Sequence, residues 1–278
     1  MQRPLEFLGT FDIAGIACRV ECHEEAFWNL LSPRYADFAS AAVPQLSLRV
    51  EVRAPSPDDP AVQWSGVFAR IEGGEGIISI EGAGFHGTFD ERSGRGWIVQ
   101  PLDLSPFETF LTAIYAGRLL REGGFFLHAA AVVDAGEAYV FFGPSGSGKT
   151  TVAGLVGEGV ISDEIVAIKR DGLRYQVSGV PWRGQRLSAP LGGLFPLRKA
   201  REVAFIPLSP VETVRQLLPC VFFAHPDSSE VGRFLEIGGE LVTRVPCYEM
   251  HFTPDLSFWE TMPRLVKGGE TWSLTMTG

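Results

Sequence analysis

Residues 137–156 read EAYVFFGPSGSGKTTVAGLV, and within them Gly143-Pro144-Ser145-Gly146-Ser147-Gly148-Lys149-Thr150 satisfies the pattern G-x-x-x-x-G-K-[ST]. An apolar, β-prone run precedes this loop and a short helical run, Thr150 to Val156, follows it, which is the context in which the pattern has a mechanism. Glycines let the main chain curl until successive N–H groups point inward at phosphate oxygens, and the helix N-terminus adds a favourable dipole. Lys149 is placed to reach β- and γ-phosphates, and Thr150 to ligate Mg²⁺ through its hydroxyl. Gly143 to Thr150, with Thr151 beside them, form the candidate nucleotide-binding set, and the expected ligand is ATP with Mg²⁺.

Outward from the loop, Leu127 to Val133 and Glu137 to Phe142 read as a hairpin turning at Asp134-Ala135-Gly136. Downstream, Gly157 and Gly159 lead into residues 160–168, an apolar strand interrupted by Ser162-Asp163-Glu164. Two adjacent carboxylates in such a run are costly to bury without a partner. A Mg²⁺ ion and an incoming hydroxyl would be suitable partners; the alternative is a surface-facing bulge or strand end. Asp171-Gly172 followed by Leu173 to Ser178 reads as the return arm of a further hairpin. Doubly wound P-loop proteins link their strands by crossover helices, so the sheet here is expected to be mostly antiparallel or mixed, in an α+β fold.

Helix starts punctuate the rest. Ser105-Pro106-Phe107-Glu108 offers a capping box before the stripe Phe107, Phe110, Leu111 and Ile114, which Gly123-Gly124 stops. Ser209-Pro210-Val211-Glu212 repeats the signal, Ser229 to Thr243 forms a further candidate helix, and Glu24 to Leu31 a short one. The first hundred residues are otherwise β-rich: Glu6 to Cys22 and Leu46 to Val52 alternate, Gly73 to Asp90 is broken by glycines as hairpins are, and Ala54 to Pro60 is a loop. The expected organisation is a β-rich unit over residues 1–104 and a P-loop domain over 105–278.

The 278 residues are 45% apolar, enough for a sizeable core, and carry a formal net charge of -9. That balance argues against a sequence-independent grip on nucleic acid, which needs a basic face. No run approaches the length of a membrane span, and Met1 to Thr10 has no apolar core of the signal-peptide kind, so a cytoplasmic protein without a membrane partner is expected. Cys18, Cys22, Cys220 and Cys247 are too scattered for a disulfide framework. Cys18, Cys22 and His23 could suggest a metal site, but Ile16, Cys18, Val20 and Cys22 share one face of a strand, which favours core thiols.

From Phe125 to Trp259 the chain resembles the catalytic domain of the HPr kinase/phosphorylase family, and more closely its shorter HPr kinase-related relatives. His128 matches the family's histidine on the strand before the loop, Gly143 to Thr150 its Walker A segment, and Ser162-Asp163-Glu164 falls where the family carries Ala-Asp-Asp. Pro181 to Gly184, Pro190 to Leu197 and Val245 to Met250 look like further recurrent segments, and phosphoenolpyruvate carboxykinase shares the superfamily. The chain departs from true HPr kinases in carrying Glu164 for the second aspartate and in lacking an Arg-Gly-x-Gly stretch around Arg183-Gly184, so the resemblance does not name HPr as the acceptor.

The resemblance implies that Asp163 is the general base beside an attacking hydroxyl and that Glu164 helps to hold Mg²⁺, with Thr150 and Asp163 completing the candidate metal set. His128 either orients a carboxylate or is a core histidine; Arg183, beside Trp182, either contacts phosphate or acceptor or is a solvated loop residue. Lys149, Asp163, His128 and Arg183 are thus the candidate catalytic residues. The expected reaction is transfer of the γ-phosphoryl group of ATP to a hydroxyl, of a protein or peptide serine or of a small-molecule alcohol. A non-catalytic ATP-binding regulatory or scaffold module is the alternative, and a homo-oligomer is compatible with either. A decarboxylating carboxykinase would need roughly twice this length, and no Leu-Ser-Gly-Gly-Gln-type signature of a transport ATPase follows the loop.

Overall fold

The computed structural model describes residues 7–54, 70–74, 76–82, 84–225 and 228–267, so most of the expected loop Ala54 to Pro60 lies outside the described residues. The fold is mixed α+β, with 31% helix and 42% strand, and its strands form two separate mixed sheets.

The first sheet has seven strands: β1 (Phe7–Ile13), β2 (Ile16–Cys22), β3 (Leu46–Val52), β4 (Arg70–Gly74), β5 (Ile77–Gly82), β6 (Phe85–Asp90) and β7 (Arg95–Gln100), in the order β1-β2-β3-β7-β6-β5-β4. β3 runs parallel to both β2 and β7, and the remaining pairs are antiparallel hairpins. Cys18 and Cys22 alternate inward with Ile16 and Val20 and belong to the buried core; His23 lies beyond the strand end. Between β2 and β3, α1 (Glu25–Tyr35) buries Phe27, Leu31 and Tyr35, spaced four residues apart. That stripe carries the helix past Pro33 to Tyr35, four residues beyond the sequence expectation, because burial of Tyr35 offsets the one hydrogen bond that proline removes.

The next helix, α2 (Leu104–Arg121), begins on a different cap from the one expected. Asp103, extended at φ -151°, accepts from the Ser105 amide at 3.0 Å and is the N-cap. An anionic acceptor at the positive helix end outcompetes the Ser105 hydroxyl, and Pro106, which needs no donor partner in the first turn, fits either frame. Eleven of the 18 residues of α2 are buried, so it is apolar nearly all round and packs against β5, β6 and β7, against α1, and against the second sheet. Gly123, at φ 75°, then turns the chain into that sheet.

The second sheet is organised by one long strand, β8 (Gly124–Asp134), followed by β9 (Glu137–Phe142), α3 (Lys149–Val156), β10 (Val160–Ser162), β11 (Ile165–Asp171), β12 (Arg174–Ser178), β13 (Ser188–Lys199), β14 (Ala204–Pro207), α4 (Pro210–Leu217), β15 (Val221–Phe222), α5 (Ser228–Val242), β16 (Tyr248–Phe252) and α6 (Ser257–Lys267). β8 pairs antiparallel with β9, β10, β11 and β15. β9 is also parallel to β13, which is in turn parallel to β16. The two expected hairpins, β8–β9 and β11–β12, are present, as is the capping box of α4, in which Ser209 and Glu212 satisfy each other's amides. A core of β8, β9, β13, α4 and α5 residues fills one side; Phe141, Phe195, Phe252 and Phe258 fill another behind α3.

Candidate functional site

The chain leaves β9 at Phe142 and turns through Gly143, Gly146 and Gly148, with φ values of 144°, 77° and 113° that only glycine adopts readily. Gly148 is fixed twice over, since a Cβ there would stand 2.4 Å from Cζ of Phe252. The loop closes on Ser147 N–H donating to the Pro144 carbonyl at 3.1 Å, and α3 begins at Lys149. Lys149 is only 6% exposed; its Nζ donates to the carbonyls of Gly143 at 2.9 Å and Pro144 at 3.3 Å, and burial holds its pKa below the ordinary lysine value. An ammonium has three protons, so one donor remains for a ligand. Ser147 Oγ, buried against Gly143, has no hydrogen-bond partner among the described residues.

Along one edge of β8, β10 pairs at Val132 and Ala131 and β11 resumes at His128, with Asp163 and Glu164 bulged out between them. The interruption read in the sequence is thus the gap between two strands on one partner. Ser162 fastens it: its buried Oγ accepts from the amides of Glu164 and Ile165, both at 3.1 Å, and donates to the Arg183 carbonyl at 2.5 Å. Asp163 is exposed, Glu164 half-buried.

Together with the start of the loop helix, these parts line a cleft of about 390 Å³. His128, Ser145, Gly146, Gly148, Lys149, Thr150, Thr151, Asp163 and Glu164 all line it. Gly143, Pro144 and Ser147 are not on its wall but shape the loop behind it, through the Lys149 and Ser147 bonds given above. Arg183 is not on the wall either; its Nε stands 3.2 Å from Glu164 Oε2, an exposed pair at the rim. His128 is half-buried, its ring edge-on to Phe222 at 6.2 Å. Burial first, and then the Lys149 charge, hold it below the usual histidine range against the opposing pull of Glu164.

One lining residue was missed: Lys199, the last residue of β13. β9 ends opposite Pro196, so β13 runs three residues further, beyond the start of the Gly143 to Gly148 loop, and carries Lys199 to the cleft. Parallel strands place ligands at their carboxyl ends, but the β9–β13 pairing joins segments some 50 residues apart and leaves no local mark. Among the described residues no group of three or more His, Cys, Asp or Glu stands ready to hold a metal ion by itself. A Mg²⁺ ion keeps few protein ligands and takes the rest from phosphate and water, so it would not need such a group. A larger groove, of about 710 Å³, covers the outer face of β2, β3 and β7, but its Arg19, Arg49 and Arg95 alternate with Glu21 and Glu51, as on a solvated sheet face.

No protein-family model matches the sequence, and no curated protein is a significant match to it. Among the described residues no helix is long and apolar enough to cross a membrane.

Proposed function

We propose that the protein is an ATP-dependent kinase of HPr kinase-like type, which transfers the γ-phosphoryl group to a hydroxyl, foremost a serine of a protein or peptide. The observation that carries this reading is the joint presence, in one cleft, of the Lys149 loop and the bulged pair Asp163 and Glu164. A module that only binds ATP needs the loop and has no use for two carboxylates beside it. Phosphoryl transfer needs both, since catalysis there rests on positioning and charge neutralisation, with a carboxylate to take the acceptor's proton.

In this reading Lys149 and the loop amides bind the β- and γ-phosphates. Thr150 and Glu164 are the residues that would hold Mg²⁺, with Asp163 close by, and the ion would offset phosphate charge. Asp163, exposed at the cleft, accepts the proton of the attacking hydroxyl. His128, beside Glu164 on the cleft wall, orients the bulge. Arg183 steadies Glu164 at the rim, and Lys199 adds a second cation to the phosphate side.

The test is transfer of label from γ-labelled ATP to serine-bearing peptides and cell extracts. Wild-type protein labels a hydroxyl, while Asp163→Asn, equal in size, keeps its ATP affinity and loses about 10²–10⁴-fold in rate, the usual share of general-base catalysis. Near-normal transfer by Asp163→Asn would rule out this mechanism.

A further inference from the structure

The segment between β12 and β13 is fastened at successive residues to two different parts of the molecule. Trp182 belongs to the amino-terminal side: its ring is 5% exposed, packs edge-on to Phe126 at 6.1 Å and joins the core beneath α1 and α2. Its carbonyl accepts from Arg34 Nη2 of α1 at 2.7 Å. The same guanidinium pairs with Glu108 of α2, Nε lying 2.6 Å from Oε1 and Nη2 donating to Oε2 at 3.3 Å. Four residues on, Arg186 Nη1 donates to the Asp37 carbonyl at 2.7 Å, a second strap to the same side.

Arg183, the very next residue, belongs to the rim of the cleft. Its carbonyl takes the Ser162 hydroxyl and its guanidinium meets Glu164. Gly184 bridges to Ser162 so closely that a Cβ would stand 2.5 Å from the Ile161 carbonyl, and the Gln185 amide donates to that carbonyl at 2.9 Å. A shift of α1 or α2 therefore reaches Arg183 through one peptide unit.

Arg34 is 40% exposed and Glu108 13%, so the attraction between them is set against the cost of burying a carboxylate. Arg34 spreads a rigid planar fork over two acceptors, a carboxylate and a main-chain carbonyl, whereas a lysine would offer them a single point charge on a flexible stem. Glu108 is largely buried; desolvation pushes its carboxyl up to about 7 against the pull of Arg34 and Arg183, with Asp103 adding to the rise. Tyr35, fully buried on α1, is the remaining titratable group beside it.

We propose that Arg34 and Glu108 are positioning residues that hold Trp182, and through it Arg183, beside Glu164, so that the amino-terminal sheet and its helices form part of the phosphoryl-transfer site. The inference rests on the cleft being that site, and its test separates the two. Full-length wild type, Arg34→Met, Arg34→Lys and Glu108→Gln are compared by hydrogen exchange without nucleotide. In Arg34→Met, exchange rises roughly fivefold over 180–187 and 160–166, as loss of one hydrogen bond gives, while β8 and β9 are unchanged. Arg34→Lys restores part of the protection, and Glu108→Gln, which keeps an acceptor, loses less. No change at 160–166, or an equal rise in β8 and β9, would overturn the proposal. In the labelled-ATP assay, Arg34→Met lowers kcat as far as Arg183→Met does without raising the KM for ATP, and the double variant is no worse; additive losses would likewise overturn it. A protein that binds no ATP but shows the exchange pattern would sink the kinase reading alone.

Discussion

The Ser162 hydroxyl donates to the Arg183 carbonyl at 2.5 Å while accepting from the amides of Glu164 and Ile165, so one buried oxygen joins the carboxylate bulge to the arginine loop. Ser162→Ala leaves three main-chain groups without that partner, which costs about 1–3 kcal/mol. Denaturant melts should show the loss as a lower midpoint at unchanged slope. A variant as stable as wild type would mean that the bulge is held by its strand pairing alone.

Gly148 should tolerate no side chain. Gly148→Ala meets both a φ of 113° and Phe252 Cζ at 2.4 Å, at a cost on the order of 1–3 kcal/mol for the backbone alone. Phe252→Ala in the same chain removes the clash and leaves the backbone strain, so titration of Mg²⁺·ATP into the double variant should show no recovery of phosphate binding over Gly148→Ala. Full recovery would show that space, not conformation, dictates the glycine.

Glu108 gives a pH signature. Its folded pKa, about 7, lies above the ordinary glutamate value of 4.5, so the fold holds a proton that the unfolded chain has released. Its contribution is complete below about pH 4.5 and is lost as pH rises through about 7. The stability of wild type relative to Glu108→Gln should thus decline between pH 5 and 7 and level off above 8. A difference that does not vary over this range would show that Arg34 keeps the carboxylate ionised throughout.

What the sequence made legible was local. The glycine turn before α3, the β8–β9 and β11–β12 hairpins and the Ser209 capping box each lie within a few consecutive residues whose chemistry has one good solution. The carboxylate pair was visible as a polar break in an apolar run, but its nature as a bulge depended on β8, more than 25 residues earlier. The start of α2 was misplaced because Asp103 and Ser105 are both good caps and only the φ of the chain decides between them. Lys199 and the Arg34–Glu108–Trp182 junction were out of reach altogether. They join residues 50 to 150 positions apart, and an arginine on a short helix gives no sign of the carbonyl that it will meet.

The central claim is that the Lys149 loop binds nucleotide phosphates, and titration of Mg²⁺·ATP into wild-type protein and Lys149→Ala by calorimetry tests it most directly. Lys149 is the buried cation of the cleft, and removing a charge-assisted hydrogen bond costs about 1.5–3 kcal/mol, roughly 10- to 150-fold in affinity. A loss in that range or beyond it is expected, with the fold intact by circular dichroism; equal affinity in the two proteins, or no binding by the wild type, would overturn the nucleotide-binding reading.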